Sequence, residues 1–312
     1  MACVALLSAV VDMEYLVPAF RAQCPGIDLR LGADLGPQGD IEAAVCWFPP
    51  HGALARMPKL QLVQSLAAGV DHITADPALP RHLPLCRIVD PEMAAGMKAY
   101  VCWAVIEQQR GMRCHVDDAR AGRWQEQPLR APGRHRVGIA GLGTLGLACA
   151  EALVTIGYAV RGWSRTPKAA LPQGVTGFHG DAQRGDFLAG CDTLVCLLPL
   201  TPETQGFLDA RAFACLPKGA HVINVGRGAH LVEADLLAAL ASGQLAFATL
   251  DAFTQEPLPP EHPFWRDPRI LVTPHVATRT DATVIARQTL QSLAALKRGE
   301  RPLNTVDLDL GY

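Results

Sequence analysis

Residues 137–146 read VGIAGLGTLG, and this segment decides the fold of the chain around it. Gly141, Gly143 and Gly146 form the pattern G-x-G-x-x-G, with an apolar run before it and a helical pattern after it. The first glycine allows a tight turn, the second lets backbone N–H groups approach a pyrophosphate, and the third lets helix and strand pack closely. The segment predicts a dinucleotide-binding strand–turn–helix unit, with an ordinary glycine-rich turn as the alternative.

Strand and helix patterns alternate on the C-terminal side of this segment. Helical patterns occupy residues 145–155 and 233–242, and a last one, at 281–297, follows the final strand. Such alternation predicts a doubly wound α/β domain. The predicted strands of this series are residues 137–140, 158–162, 193–197, 221–225, 246–250 and 270–272.

The N-terminal third contains a second series of short apolar runs, separated by Gly, Pro or Asp. Runs of this kind are typical of parallel strands buried on both faces. A long helical pattern follows at residues 93–114, and the polar segment 125–133, with two prolines, predicts a surface loop. The predicted strands of this series are residues 3–11, 27–31, 43–48, 60–66 and 85–89.

Composition excludes several classes of partner. The 312 residues suffice for two domains, and 49% hydrophobic with 19% charged residues is a globular balance. A net charge of -2 gives no attraction for nucleic acid or an anionic membrane. The ten cysteines form no C-x-x-C pair, so we expect reduced thiols without a metal site. With no signal-peptide pattern or bilayer-spanning run, we expect a cytoplasmic protein.

The turn after the second strand of the glycine-motif domain indicates the cofactor. An NAD-binding domain carries an acid there, about 20 residues beyond the motif. This chain has no carboxylate in that turn but has Ser164, Arg165, Thr166 and Lys168. Two cations and two hydroxyls suit a 2′-phosphate, so we predict NADP(H) in preference to NAD(H). The alternative is a solvated basic turn.

Arg227, Glu256 and His275 each follow a predicted strand. Ligands of open α/β sheets bind beyond the carboxyl ends of the strands, so we expect these side chains near a ligand. Reduction of a 2-keto acid needs a fork for carboxylate and carbonyl oxygens, which arginine supplies. It also needs a proton donor, a role for histidine, and a carboxylate that orients the imidazole and favours its cation. Each residue alone is more often structural or solvated, but together they predict a reductase site.

These motifs, taken together, resemble the D-isomer-specific 2-hydroxyacid dehydrogenase family. The match covers about the last two thirds of the chain, and its pieces occur in the family's order. They are the glycine motif, LLPLTPET at 197–204, NVGRG at 224–228, LDAFTQEPLP at 250–259 and TPH at 273–275. Four further pieces are similar to family members that reduce glyoxylate and hydroxypyruvate: CWFPP at 46–50, AAGVD at 67–71, WSRT at 163–166 and VDLDLGY at 306–312.

The resemblance implies two Rossmann-like domains with doubly wound parallel sheets and an active site in the cleft between them. Residues 1–100 would bind substrate, 101–278 would bind the dinucleotide, and 279–312 would return to the first domain. The implied activity is reduction of a small 2-keto acid, such as glyoxylate or hydroxypyruvate, by hydride from NADPH. A homodimer through the cofactor domain is also implied.

The resemblance also assigns roles to individual residues. His275 would be the general acid, Glu256 its partner and Arg227 the substrate anchor. Backbone amides of Ala68 and Gly69 would bind the substrate carboxylate, and Trp47 would either face the substrate or be an aromatic at the core edge. Asp251 would lie near the nicotinamide amide. The implied cofactor-binding set is Gly141, Leu142, Gly143, Thr144, Leu145, Gly146, Ser164, Arg165, Thr166, Lys168, Leu198, Pro199, Thr204, Val225, Gly226 and Asp251.

Departures from the family pattern concern the nicotinamide contacts and the shape of the pocket, and separately two alternatives stay open for the function. Lys98 and Tyr100 stand where many members carry a glutamate and a histidine, and Thr278 stands where small residues are usual. One alternative is an enzyme acting on formate or phosphite. The other is a dinucleotide-sensing, corepressor-like interaction protein on the same fold, which the lack of long tails or basic segments disfavours. The sequence does not record which 2-keto acid is reduced.

Overall fold

Short apolar strands form two parallel sheets in the computed structural model, which describes residues 2–32 and 35–311. The strands are β1 (Cys3–Ser8), β2 (Asp28–Leu31), β3 (Ala43–Trp47), β4 (Leu62–Ser65), β5 (Leu85–Cys86), β6 (Arg136–Ala140), β7 (Ala159–Ser164), β8 (Val175–His179), β9 (Thr193–Cys196), β10 (Ala220–Asn224), β11 (Leu245–Leu250) and β12 (Ile270–Val272). The helices are α1 (Val17–Gln23), α2 (Asp71–Thr74), α3 (Pro91–Gln109), α4 (Met112–Arg120), α5 (Thr144–Ile156), α6 (Arg184–Ala189), α7 (Ala210–Cys215), α8 (Glu233–Ala241) and α9 (Ala282–Lys297).

The described residues separate into two units. The first contains those within 1–93 and 279–312, and the second is Ala94–Thr278. The first change of unit therefore falls at Met93, near the start of α3, and the second falls at Thr278.

The first unit is a five-stranded parallel sheet in the order β2-β1-β3-β4-β5. Its central strands β1, β3 and β4 are buried except for the last residue of β1 and of β3, and most of their residues are apolar. The C-terminal helix α9 belongs to this unit: Ile285 and Leu293 pack in one apolar cluster with Val4, Leu6 and Phe20. Residues from the two ends of the chain thus share a core.

The second unit is a seven-stranded parallel sheet in the order β12-β11-β10-β9-β6-β7-β8. The chain winds outward from β6 in one direction through β7 and β8, and then in the other direction from β9 to β12. The switch point lies between β6 and β9, and in such folds the ligand crevice opens there, beyond the carboxyl ends. The predicted α/β class with parallel sheets is confirmed.

Several predicted elements were wrong in extent. The single helix expected at 93–114 is two helices, because Gly111 adopts a left-handed φ of 61° that ends α3 and starts α4 in a new direction. The strand expected to reach residue 11 ends at Ser8, whose Oγ accepts the N–H groups of Val10 and Val11. β8 was missed because this edge strand is only partly buried and contains Gly177.

Among the described residues, no helix has the length and apolar character needed to cross a membrane.

Candidate active site

The glycine turn after β6 fits a dinucleotide pyrophosphate. Gly141 has a φ of 104°, and a Cβ there would lie 2.5 Å from the carbonyl oxygen of Leu197. A Cβ on Gly146 would overlap the carbonyl oxygen of Gly141, so α5 packs directly on the turn. Gly143, the N-cap of α5, faces open space and has no side-chain cap. The first amides of α5 therefore face a space that suits an anion.

The basic turn after β7 is built around Ser164. Its hydroxyl is buried and donates to the carbonyl oxygen of Thr166 at 2.8 Å, which fixes the turn, while Arg165, Thr166 and Lys168 are exposed. The pKa of the Glu203 carboxyl is lowered, chiefly by a hydrogen bond from Thr201 and in part by the positive charge of Arg165. The guanidinium of Arg165 thus acts on the loop that follows β9.

The loop after β9 is shaped by Thr204. Its hydroxyl donates to the carbonyl oxygen of Pro199 at 2.6 Å and accepts the N–H of Thr201 at 2.8 Å. Leu198 is buried beneath this loop. Thr204 therefore supports the shape of a segment whose residues Leu198, Pro199 and Thr204 were predicted to bind the cofactor.

Arg227 lies three residues beyond Asn224, the buried last residue of β10, in a turn held by residues of the motif NVGRG and by His230. Asn224 Nδ2 donates to the carbonyl oxygen of Arg227 at 2.9 Å, and Asn224 Oδ1 accepts the N–H of Gly226 at 3.2 Å. The buried His230 accepts the N–H of Arg227 on Nδ1 at 3.0 Å. The turn that carries the guanidinium is thereby fixed at three backbone groups.

The turn that carries Arg227 is in direct contact with the loop that carries Glu256. A Cβ on Gly228 would overlap the backbone of Phe253, so only glycine allows the two segments to approach this closely. The N–H of Phe253 donates to Oε1 of Glu256 at 2.9 Å. Burial raises the pKa of Glu256, but hydrogen bonds from His275 and Phe253, and the charges of His275 and Arg227, outweigh it and leave the pKa lowered. Glu256 is therefore an anion near neutral pH.

His275 and Glu256 form the central pair. Nδ1 of His275 lies 2.9 Å from Oε2 and 3.2 Å from Oε1 of Glu256. A carboxylate only accepts hydrogen bonds, so Nδ1 carries a proton and Nε2 is left to face a ligand. Both side chains keep about a third of their surface exposed, His275 at 35% and Glu256 at 37%. The pair has the geometry of a general acid with its orienting carboxylate.

Asp251 organises the segment around His275. Its Oδ1 accepts the hydroxyl of Thr273 at 2.6 Å and the N–H of Val276 at 2.9 Å, and its Oδ2 accepts the N–H of Ala277 at 2.8 Å. The backbone of His275 lies between these bonds, with a left-handed φ of 52°. A contact of Asp251 with nicotinamide stays a prediction; what the buried carboxylate does here is hold the histidine loop.

In the first unit, the loop after β4 is closed by Ser65. Its Oγ donates to the carbonyl oxygen of Gly69 at 2.7 Å and accepts the N–H of Ala67 at 3.1 Å. Within residues 2–32 and 35–311, the amide nitrogens of Ala68 and Gly69 have no acceptor. Both are therefore available to an anionic ligand.

Trp47, at the end of β3, is half-buried in an aromatic cluster of the first unit. Its ring centroid lies 4.5 Å from that of His72 and 5.1 Å from that of Phe48. Phe48 combines an exposed ring with a left-handed φ of 46°, which is uncommon for a residue with a bulky side chain. The cluster is consistent with both interpretations of Trp47.

Sequence reasoning missed the residues that hold the site in place: Ser65, Asn224, His230 and Thr273. Asn224 belongs to the quoted motif NVGRG and Thr273 to the quoted motif TPH, so both positions were usable signals. Ser65 and His230 become visible only through contacts in the folded chain. In the part of the chain that the structure describes, His, Cys, Asp and Glu side chains form no group of three or more able to hold a metal ion.

Comparison with known proteins identifies the family of this chain. The family model for the NAD binding domain of D-isomer specific 2-hydroxyacid dehydrogenases matches residues 102–277. Glyoxylate/hydroxypyruvate reductase A of Serratia proteamaculans (strain 568) is 42% identical over 282 residues, which cover 89% of this chain and 90% of the relative. The chain therefore belongs to the D-isomer-specific 2-hydroxyacid dehydrogenase family, and the predicted class, an NAD(P)-dependent oxidoreductase, is confirmed.

Solved structures extend the similarity to the whole chain. A D-isomer specific 2-hydroxyacid dehydrogenase from Xanthobacter autotrophicus Py2, in complex with NADPH and MES, is 42% identical with a TM-score of 0.93 and covers 100% of this chain and 99% of its own. The NADPH-dependent glyoxylate/hydroxypyruvate reductase of Sinorhizobium meliloti, in complex with NADP and sulfate, is 34% identical with a TM-score of 0.92 and 100% coverage of both chains. The cofactor prediction is supported by these NADP-bound relatives.

Proposed function

We propose that this protein reduces a small 2-keto acid, of the size of glyoxylate or hydroxypyruvate, to the 2-hydroxy acid with NADPH. The observation that carries the proposal is the His275–Glu256 pair at 2.9 Å, within the electrostatic reach of Arg227. Relatives named as glyoxylate/hydroxypyruvate reductases support the substrate class. The dinucleotide supplies a hydride when bound; the residues of the chain supply the proton and the charges.

His275 is the proton donor in this proposal. As the carbonyl carbon accepts hydride, negative charge develops on its oxygen, and the proton on Nε2 passes to that oxygen. Glu256, held ionised, keeps the other proton on Nδ1 and stabilises the imidazolium before transfer. The product is the neutral hydroxyl of the 2-hydroxy acid, and the imidazole is left neutral.

Arg227 is the substrate anchor. One of its guanidinium nitrogens donates to the carbonyl oxygen of Gly226 at 2.9 Å, which orients the group. The planar guanidinium suits the carboxylate and carbonyl oxygens of a 2-keto acid, and its charge would stabilise the oxygen during reduction. We assign the free amides of Ala68 and Gly69 to the substrate carboxylate.

Residues of the second unit would hold NADPH. The amides at the start of α5 fit the pyrophosphate, and Arg165 with Lys168 fits the 2′-phosphate. The exposure of both cations beyond β7 supports this assignment, because an incoming phosphate can reach them from solvent.

A homodimer and a cytoplasmic location complete the proposal. Large apolar side chains are exposed along α3, α4 and the loop after them: Trp103, Met112, Val116, Trp124 and Leu129. Exposed apolar surface of this kind favours a protein partner, and we commit to a second copy of this chain. The cytoplasmic location stays a prediction.

The test is turnover of the purified protein with four substrates. Glyoxylate and hydroxypyruvate are assayed with NADPH, and formate and phosphite are assayed with NADP⁺. We expect oxidation of NADPH with glyoxylate or hydroxypyruvate and a stoichiometric yield of the 2-hydroxy acid. Turnover with formate or phosphite, and with neither keto acid, would favour the alternative of an enzyme that acts on formate or phosphite. Tight NADPH binding with no turnover on any substrate would favour the dinucleotide-sensing alternative.

A further inference from the structure

Tyr100 stands at one end of a chain of hydrogen bonds that reaches the histidine loop. Its hydroxyl lies 2.5 Å from Oγ1 of Thr273, and Oγ1 of Thr273 donates to Oδ1 of Asp251 at 2.6 Å. The threonine has one hydroxyl proton, which goes to the carboxylate, so the tyrosine must be the donor to the threonine. The direction of the chain is therefore fixed as tyrosine to threonine to aspartate.

The far end of this chain holds the backbone on both sides of His275. Asp251 accepts the N–H groups of Val276 and Ala277, and the N–H of His275 itself donates to the carbonyl oxygen of Thr273 at 3.0 Å. His275 has a left-handed φ of 52°, a conformation that a residue with a Cβ keeps only when its surroundings impose it. The imidazole position thus depends on bonds made through Thr273 and Asp251.

Tyr100 is suited to anchor this chain. It sits within α3, and its ring packs edge-on against Trp103 with centroids 5.3 Å apart. Burial, together with the nearby Asp251 carboxylate, raises the pKa of Tyr100 to about 12. The phenol therefore keeps its proton, and its donor role, across the range in which the protein would be assayed.

We propose that Tyr100 is a positioning residue for the reduction, acting through Thr273 and Asp251 to hold the backbone of His275 in its left-handed conformation. The inference rests on the proposed function for its kinetic consequence. Its structural consequence, an ordered segment from Thr273 to Ala277, is independent of the substrate. Tyr100 touches no reacting group in this account; it sets where the imidazole lies.

The kinetic test compares Tyr100→Phe with wild type in the reduction of glyoxylate. Losing one neutral hydrogen bond in the support of the acid should lower kcat by about 3- to 10-fold and leave the KM for NADPH within about 2-fold. The kinetic isotope effect with [4-²H]NADPH should rise, because the chemical step becomes slower relative to product release. A change confined to thermal stability would not move that isotope effect.

Matched variants separate positioning from general damage. Tyr158→Phe is the control: Tyr158 is a buried tyrosine of the same unit whose hydroxyl donates to Gln109 at 3.3 Å, and its loss should leave kcat unchanged. Thr273→Ser keeps the hydroxyl and should retain most of the wild-type kcat. Thr273→Val should lose at least as much as Tyr100→Phe, because it also removes the bond to the Asp251 carboxylate, and the double variant should lose little more than Thr273→Val, because both changes break one chain.

Hydrogen exchange gives a readout that needs no substrate. In Tyr100→Phe, and not in Tyr158→Phe, the amides of Val276 and Ala277 should exchange faster, because their acceptor Asp251 is less firmly held. Unchanged exchange together with wild-type kcat would overturn the inference. If wild type turned over no keto acid, the proposed function would fail, and the exchange of these two amides would still decide whether Tyr100 holds the loop.

Discussion

Nδ1 of His275 lies 2.9 Å from Oε2 of Glu256, and the same carboxylate accepts the backbone N–H of Phe253 at 2.9 Å. The hydrogen bond from Phe253 holds the Glu256 carboxylate in place independently of the histidine. The imidazole is thus oriented by an anion that is itself held by the backbone, and Nε2 is the nitrogen left for chemistry. The pH dependence of reduction follows from this arrangement.

Glu256→Gln should move the alkaline loss of reductase activity to lower pH. Reduction consumes a proton, so activity falls as pH rises and the imidazolium is lost. The pKa of Glu256 is lowered, so its negative charge is present at neutral pH and favours that cation. Removing the charge should shift the falling limb of kcat/KM to lower pH.

The control for this shift is Glu233→Gln. Glu233 pairs with His262 at 3.2 Å in the same unit, outside the proposed site, and its loss should leave the pH profile unchanged. If the falling limb of kcat/KM in Glu256→Gln stayed at the same pH or moved to higher pH, the pairing of His275 with Glu256 would be contradicted.

Arg227→Lys should lose most of kcat/KM for glyoxylate. Lysine keeps the charge but has no planar fork, so the paired hydrogen bonds to the substrate are lost. Such charge-assisted bonds are worth about 1.5–3 kcal/mol, which corresponds to about a 10- to 150-fold loss. Steady-state kinetics with glyoxylate measures this loss of kcat/KM. The matched control is Arg120→Lys, because Arg120 is an exposed surface arginine. Intact kinetics in Arg227→Lys would show that Arg227 does not hold the substrate.

Arg165→Ala should erase most of the preference for NADPH. We expect wild type to favour NADPH over NADH by about one to three orders of magnitude in kcat/KM, because one charge-assisted contact to phosphate is worth about 10- to 150-fold. The preference should weaken at high salt, since Arg165 is exposed. Kinetics with NADH is the internal control and should change little. Equal use of both cofactors by wild type would show that the turn after β7 is a solvated basic loop with no role in the choice of cofactor.

Two buried histidines should make the second unit less stable in acid. Burial lowers the pKa of His135 to about 4 and that of His221 to about 3, while both return to an ordinary value near 6.5 when the chain unfolds. Below that value the unfolded chain binds protons that the folded chain does not, so stability falls with pH. Each histidine should cost about 2 kcal/mol between pH 7 and pH 5.

Denaturant unfolding at pH 7 and pH 5 measures this loss. His221→Gln removes one titrating group and should reduce the difference between the free energies of unfolding at the two pH values. His115→Gln is the control, because this histidine of α4 is only partly buried. A free energy of unfolding that is equal at both pH values would contradict the prediction.

Trp124→Ser should weaken self-association. The indole of Trp124 is 97% exposed in the single chain, and an interface between copies would remove this apolar surface from water. Light scattering over a concentration series should give a dimer for wild type and a monomer–dimer equilibrium for the variant. Trp265→Ser, at another exposed tryptophan, is the control. A monomeric wild type would end the homodimer proposal.

The sequence was sufficient for every described strand except β8, and for the placement of Arg227, Glu256 and His275 beyond strand ends. Parallel sheets bury whole strands, so their apolar runs are easy to find, and residues just after them must lie at one edge of the sheet. Gly141 and Gly146 were interpreted correctly as turn and packing residues because a Cβ at either position would meet the backbone.

The rest depends on contacts that no short pattern records. Thr273 and Asp251 are 22 residues apart, and Tyr100 is 173 residues from Thr273, so their chain exists only after the sheet has formed. The break between α3 and α4 at Gly111 was missed because the apolar spacing continues across it. A single glycine in a helical pattern does not by itself predict a left-handed φ.

The most direct test of the account is the single-turnover rate of glyoxylate reduction by His275→Ala with NADPH prebound, beside His262→Ala as the control for loss of another Glu-paired histidine. General acid catalysis is worth about 10²- to 10⁴-fold, so we predict a loss in that range. NADPH affinity, measured by fluorescence, should be nearly unchanged. A His275→Ala rate within about 3-fold of wild type would remove His275 from the mechanism and contradict the account.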